Sequence, residues 1–389
     1  MNFEDKLADH LKTIPRSGIR DFFELVIGRD DVISLGVGEP DFVTPWPVRE
    51  AAILSLERGE TSYTSNLGLL SLRNEIGTYV ENFFGMKYDG DSEVLITVGV
   101  SEALDLALRA LINPGDEVIY HEPCYVSYSP SIVMAHGVAV PVSTTKADGF
   151  SLKPEAVAAA ITDKTKIVML NFPTNPTGAV ASREDLEGIA KLCIEHNLIV
   201  ITDEIYSELF YDDQEHLSIA TLPGMRERTI LMHGFSKAFA MTGFRLGYAC
   251  APEALIEAMM KIHQYGILCA PITSQVAALE ALKGGESLYA PMKEEYRARR
   301  DFLVDRLKGM GIDCHLPGGA FYVFPDIRKF GLSSQDFAIQ LLEAEQVAAV
   351  PGNAFGACGE GFLRCCYATG MDDLKEAMNR LERFIATLS

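Results

Sequence analysis

Between about residues 93 and 250 the chain alternates short apolar, β-rich runs with longer amphipathic stretches, and no other feature restricts the fold as tightly. The runs fall at 94–98, 117–120, 138–140, 166–170, 198–202, 229–232 and 246–250. A strand that is apolar on both faces needs cover on both sides. Seven such runs separated by helices therefore predict an α/β fold with a mostly parallel seven-stranded sheet between helices. One helix is predicted to start near Ser101, with Glu102 in its first turn, and to run through Leu111 before Asn113, Pro114 and Gly115 end it. Another should start at Ser182, where Asp185 completes a capping-box-like pattern.

After Pro252 the pattern changes. Helical periodicity dominates to about Lys283, residues 296–310 form a charged amphipathic stretch, and a smaller α+β region follows, with strand-like segments at 319–324, 347–350 and 362–367 and helices at 334–345 and from Asp372. At 389 residues the chain exceeds one domain of roughly 100 to 200 residues. We expect a large domain at 46–283, a small C-terminal domain at 284–389, and an arm at 1–45 that packs on the small domain.

Several function classes are disfavoured. No stretch approaches the ~18 uninterrupted apolar residues of a membrane span, and Glu4, Asp5 and Asp9 stand where a signal peptide would be basic, so a cytoplasmic protein is expected. A net charge of -20, from 34 basic against 54 acidic residues, opposes a nucleic-acid partner. The eight cysteines form no CxxC pair and sit mostly in apolar surroundings, so a disulfide framework is not expected, and the histidines show no metal-ligand spacing.

In an open parallel sheet, ligands gather beyond the carboxyl ends of the strands. After the first run, Gly99, Val100 and Ser101 open a helix; this reads as a phosphate seat or as a plain N-cap serine. After the fourth, Asn171 to Gly178 (NFPTNPTG) holds two prolines and a glycine, fixing a turn that carries Asn175. After the fifth comes Asp203, three residues before Tyr206. After the sixth, Ser236 and Lys237 open SKAFAMTGFRLGY, with Arg245 eight residues on. Taken alone, Lys237 reads equally as an ordinary lysine at a strand-to-loop corner. Together these residues match one cofactor, a pyridine aldehyde phosphate. It needs an amine for the imine, an anion at the ring nitrogen, a donor at the ring hydroxyl and a phosphate cup.

The motifs LGVGEPDF (35–42), YTSNLGLLSLR (63–73), GVSEAL (99–104), EPCYVSY (122–128), NPTG (175–178), DEIY (203–206), SKAFAMTGFRLGY (236–248), GAFYVFP (319–325) and GFLRCCYA (361–368) span essentially the whole chain. In these the sequence resembles the class I/II aminotransferases, pyridoxal 5'-phosphate (PLP) enzymes of fold type I in the aspartate aminotransferase superfamily. The resemblance implies that Lys237 forms the imine and carries the proton, Asp203 faces the pyridine nitrogen, and Tyr206 and Asn175 contact the ring oxygen. Tyr125 would stack on the ring. Ser101, Glu102, Ser236 and Arg245 would hold the phosphate, joined by Tyr63 from a second subunit of a homodimer. Arg364 would clamp the substrate carboxylate, helped by Asn175 and the Gly38 backbone.

The implied reaction moves an amino group between an L-amino acid and a 2-oxo acid by a ping-pong mechanism, with glutamate and 2-oxoglutarate as one pair. The stretch 261–282 with YTSNLG and GEGFLR is similar to bacterial enzymes assigned to N-acetyl-diaminopimelate, aromatic or aspartate transamination. Two positions depart from the family pattern. Gly234 stands where many relatives carry a serine, and Ser101 where aspartate-preferring relatives of this subgroup can carry a lysine. Tyr125, Phe42 and Phe355 could line an apolar substrate pocket or belong to the core. A β-eliminating C-S lyase would use the same lysine, aspartate and arginine. A PLP-binding transcriptional regulator would need a DNA-binding domain, for which no room is expected before residue 35.

Overall fold

The computed structural model describes residues 3–14, 28–29, 31–212 and 216–388. The apolar runs form the strands β2 (Val94–Thr97), β3 (Glu117–Glu122), β4 (Val138–Ser143), β5 (Thr165–Asn171), β6 (Ile199–Asp203), β7 (Thr229–Gly234) and β8 (Gly247–Cys250). They make one seven-stranded sheet in the order β2-β8-β7-β6-β5-β3-β4. Only β8 opposes its neighbours. The segment between β7 and β8 holds one 3-10 turn, Thr242–Phe244, and no crossover helix, so the chain folds straight back into an antiparallel pair. Along β5 the side chains alternate between faces: Ile167 and Met169 enter one buried cluster, Val168 and Leu170 the other. Both faces are covered, which is why these strands read as unbroken apolar runs.

The boundaries differ from expectation where local chemistry hides them. β4 continues through Pro141 to Ser143, because β4 is the last strand of the sheet and a proline on an edge sacrifices no ladder bond on its open side. The helix Gly99–Leu111 starts two residues before Ser101; the Glu102 carboxylate reaches back 2.5 Å to the Val98 N–H and satisfies an orphan donor. The helix Arg183–Glu195 is capped as predicted, with the Ser182 hydroxyl accepting from the Asp185 N–H at 3.1 Å.

The charged stretch from Tyr296 is part of a longer helix, Glu286–Gly309. Its buried face runs through Tyr289, Met292, Tyr296, Leu303 and Leu307 and continues back across Pro291. The N-terminal strand β1 (Ile33–Ser34) pairs in parallel with β10 (Val347–Ala348). β11 (Val350–Pro351), β12 (Leu363–Cys366) and β9 (Tyr322–Val323) form an antiparallel sheet that supplies Arg364 and Tyr322 to the site below. No helix of the described residues is long and apolar enough to cross a membrane.

Candidate active site

The carboxyl ends of β2, β5, β6 and β7 open on one cavity of about 400 Å³, closed on the other side by residues 36–39 and by Tyr322 and Arg364. Lys237 stands three residues beyond β7. Its Nζ donates to the Gly38 carbonyl at 2.6 Å. Burial pulls the ammonium pKa down to about 8, the guanidinium groups of Arg364 and Arg245 add to the fall, and Cys366 and Glu39 oppose it. An amine held near 8 is neutral often enough at physiological pH to act as nucleophile and as base.

Asp203 ends β6 and is 6% exposed. Its Oδ2 accepts from the Tyr128 hydroxyl at 2.8 Å and its Oδ1 from the Ile205 N–H at 3.2 Å. Burial pushes the carboxyl up to about 6 even against those two bonds. Among the described residues His233 nearby favours its charge but no ion pair engages it, which suits it to a cation arriving in the cavity. Asn171 ties the neighbouring turn to the same strand end: its Nδ2 donates to the Asp203 carbonyl at 2.8 Å and its Oδ1 accepts from the Asn175 N–H at 3.3 Å. The Tyr206 hydroxyl meets the Tyr322 hydroxyl at 2.9 Å, and burial, with Tyr322 beside it, holds the Tyr206 phenol well above its usual range.

Arg364, on β12, is 2% exposed and sandwiched between the rings of Tyr322 and Phe355 at 4.7 and 4.8 Å. Its Nη1 donates to Asn175 Oδ1 at 3.0 Å and its Nη2 to the Gly36 carbonyl, while Nε is buried without a hydrogen-bond partner. A buried guanidinium with an unmet donor, facing a cavity, is built to receive an anion.

At the opposite end Ser101, Ser236 and Arg245 line the cavity around the helix that begins at Gly99. Gly99 has φ +73°, and a Cβ there would stand 2.6 Å from Arg245 Nη2, so only glycine lets the guanidinium lie over the helix start. Free N–H groups, hydroxyls and a guanidinium together form an anion cup. Gly234 is closely packed: a Cβ there would lie 3.0 Å from Gly247 Cα and 3.1 Å from Val100 Cγ2, so a side chain would need these neighbours to give by a few tenths of an ångström.

The sequence profile described as aminotransferase class I and II matches residues 30–381. The chain belongs to the class I and II aminotransferases. It is 54% identical over 97% of its length to the putative aminotransferase YugH of Bacillus subtilis (strain 168), 98% of which is covered. With the probable N-acetyl-LL-diaminopimelate aminotransferase of the same strain it shares 44% identity over 98% of its length and 96% of the relative's. The crystal structure of the aromatic aminotransferase from Pyrococcus horikoshii OT3 superimposes with a TM-score of 0.90 at 44% identity, covering 95% of this chain and all of that one. The enzyme is thus a fold type I, PLP-dependent aminotransferase. It acts on amino acids and 2-oxo acids, and the aminotransferase names of these relatives do not favour the β-eliminating alternative.

Of the residues singled out from the aminotransferase sequence, Lys237, Asp203, Tyr206, Asn175, Tyr125, Ser101, Ser236, Arg245, Arg364 and Gly38 share the cavity wall. Two do not. The Glu102 side chain turns the other way, bonding Val98 and pairing with His263 Nδ1 at 2.7 Å, so only its backbone could take part in a phosphate seat. Tyr63 is 83% exposed and away from this subunit's cavity. Phe42 packs on Tyr296 and Arg299, and Phe355 on Arg364, so both support the site from behind. Tyr128, Tyr322, Asn171, Thr242 and Glu39 also line the cavity, and no role was assigned to them from sequence. Glu39 accepts from the Thr242 hydroxyl, joining the covering loop to the lysine-bearing one.

Proposed function

We propose that Lys237, Asp203, Asn175, Tyr206, Arg245 and Arg364 form the working set of this aminotransferase, with glutamate and 2-oxoglutarate as one substrate pair. The observation that carries this reading is that one cavity wall holds both a buried lysine, its Nζ on the Gly38 carbonyl with its pKa near 8, and a buried guanidinium with an unmet donor. PLP, when bound, supplies an aldehyde that reacts with amines and a ring that accepts electron density from the substrate Cα.

The protein does the rest. Lys237 holds PLP, gives way to the incoming amino acid, and then moves a proton at the substrate Cα, a task its lowered pKa permits. Asp203 keeps a negative charge beside the ring nitrogen. Tyr206 and Asn175 present polar atoms to the ring oxygen, and Tyr125 covers the ring face. Ser101, Ser236, Arg245 and the backbone from Gly99 through Glu102 fasten the phosphate. Arg364 grips the carboxylate that both substrates share, with Asn175 and Gly38 fixing its orientation. The exposure of Tyr63 supports a homodimer in which the partner subunit's Tyr63 reaches the phosphate.

The second substrate is left open: the relatives' names span acetylated and aromatic side chains, and the described cavity wall combines apolar Val37, Leu104 and Ile205 with polar Thr242. Mixing PLP-loaded enzyme with glutamate alone should release about one equivalent of 2-oxoglutarate per site, as a ping-pong first half requires. Release of ammonia, or none of the oxo acid, contradicts the reading. A screen of donors against 2-oxoglutarate then identifies the other pair.

A further inference from the structure

Asp203 is aimed into the cavity by three contacts from three places in the chain. Ile205 N–H holds Oδ1 at 3.2 Å, Asn171 Nδ2 holds the main-chain carbonyl at 2.8 Å, and the Tyr128 hydroxyl holds Oδ2 at 2.8 Å. Tyr128 is 1% exposed, and both it and Tyr125 belong to the cavity wall. The two rings meet edge to face, with centroids 5.7 Å apart and planes at 84°, and the Tyr128 N–H donates to the Tyr125 carbonyl at 3.1 Å. One rigid unit therefore touches both the ring-facing wall and the carboxylate.

We propose that Tyr128 is a positioning residue: through a neutral hydrogen bond it fixes the aim of the Asp203 carboxylate at the cofactor's ring nitrogen while leaving its negative charge intact. This deepens the PLP reading above and rests on it. A cation at the place of the Tyr128 hydroxyl would neutralise the carboxylate before PLP arrived. The phenol cannot, since burial and the adjoining carboxylate keep it protonated. The other charged groups near Asp203 are engaged elsewhere. His233, on β7, bonds Ser207 at 2.8 Å and Glu208 at 3.2 Å, and Glu204 pairs with His216 at 2.5 Å. Tyr206, two residues beyond Ile205's neighbour Glu204, spends its hydroxyl on Tyr322. Tyr128 is thus the side-chain donor to Asp203 among the described residues.

The test is a double-mutant cycle of Tyr128→Phe and Asp203→Asn, read by absorbance titration of the PLP-free proteins with PLP and by steady-state kinetics. A hydrogen bond to a charged group implies that Tyr128→Phe weakens PLP binding on the order of tenfold or more. The same substitution lowers kcat with little change in KM for the amino acid. In the Asp203→Asn background it should change PLP binding by less than about twofold, since its route of action is already cut. Equal losses in both backgrounds, no loss in the native one, or failure of Tyr128→Phe to fold in either, makes Tyr128 a packing residue and overturns the proposal. If the unsubstituted protein itself fails to bind PLP, the cofactor reading falls and the proposal with it.

Discussion

Asp203→Asn should change stability in opposite directions without and with cofactor. In the PLP-free protein burial raises the Asp203 carboxyl from 3.8 to about 6. Ionisation in the folded state is thus disfavoured by about two pKa units, or about 3 kcal/mol at 1.36 kcal/mol per unit. The folded pKa lies above the unfolded one, so this penalty is absent below pH 4, grows as pH rises through 6, and is complete above it. Asparagine has the same shape and keeps an oxygen for Tyr128, but never ionises. The PLP-free variant should therefore nearly match the native protein at pH 4, exceed it by about 1 to 2 kcal/mol at pH 5 and by about 2 to 3 kcal/mol at pH 8, a few degrees in melting temperature for a chain of this size. With PLP bound the order reverses, because the carboxylate then has its cationic partner and the amide does not. Thermal melts of both proteins at pH 4 and pH 8, stripped of PLP and saturated with it, give the four comparisons. A stripped variant that melts below the native protein at pH 8, or a difference independent of pH, refutes the argument that Asp203 is held charged for a cation that PLP brings.

Arg364→Lys keeps the charge but loses the planar fork, so KM for both the amino acid and the 2-oxo acid should rise on the order of tenfold to a hundredfold, seen in initial-rate kinetics with each substrate varied. Because Lys237 titrates near 8 and only its neutral form attacks, the rate of PLP capture by the stripped protein should climb with pH to about 8 and level off above it, measured by stopped-flow absorbance. If the partner subunit's Tyr63 completes the phosphate site, mixing equal amounts of the Tyr63→Ala and Lys237→Ala proteins under exchange conditions should restore about a quarter of native activity, since half of the dimers then hold one intact site. No recovery in the mixture would place Tyr63 outside its neighbour's site.

The strand exits were readable because continuous apolar runs announce buried parallel strands and ligands collect at their ends. Lys237, Asp203 and Asn175 each stand at or just past the end of such a run, and Arg245 stands just before the run at 246–250, so chain position brought them to one cavity. What the sequence hid depends on rotation or distance. Glu102 lies one residue past Ser101, about 100° further round the helix, and that turn carries its carboxylate from the cavity side to His263. Tyr128 meets Asp203 across 75 residues, and Tyr206 meets Tyr322 across 116, contacts with no local periodicity. The helix Glu286–Gly309 begins well before the charged stretch that marks it in sequence; charged residues and Pro291 mask its apolar face, and Arg299 and Arg300 are buried in ion pairs with Asp41 and Asp212. The Arg299–Asp41 pair anchors the end of LGVGEPDF and so holds Gly36 and Gly38 against Arg364 and Lys237.

That the Lys237 amine is the group that captures PLP can be tested on the protein directly. Borohydride reduction of the PLP-loaded enzyme, followed by proteolysis and peptide mass mapping, should find the phosphopyridoxyl mass on the peptide carrying Lys237 at close to one per chain, and lose it in Lys237→Ala. The label on a different lysine, or its retention at native level in Lys237→Ala, would contradict the account.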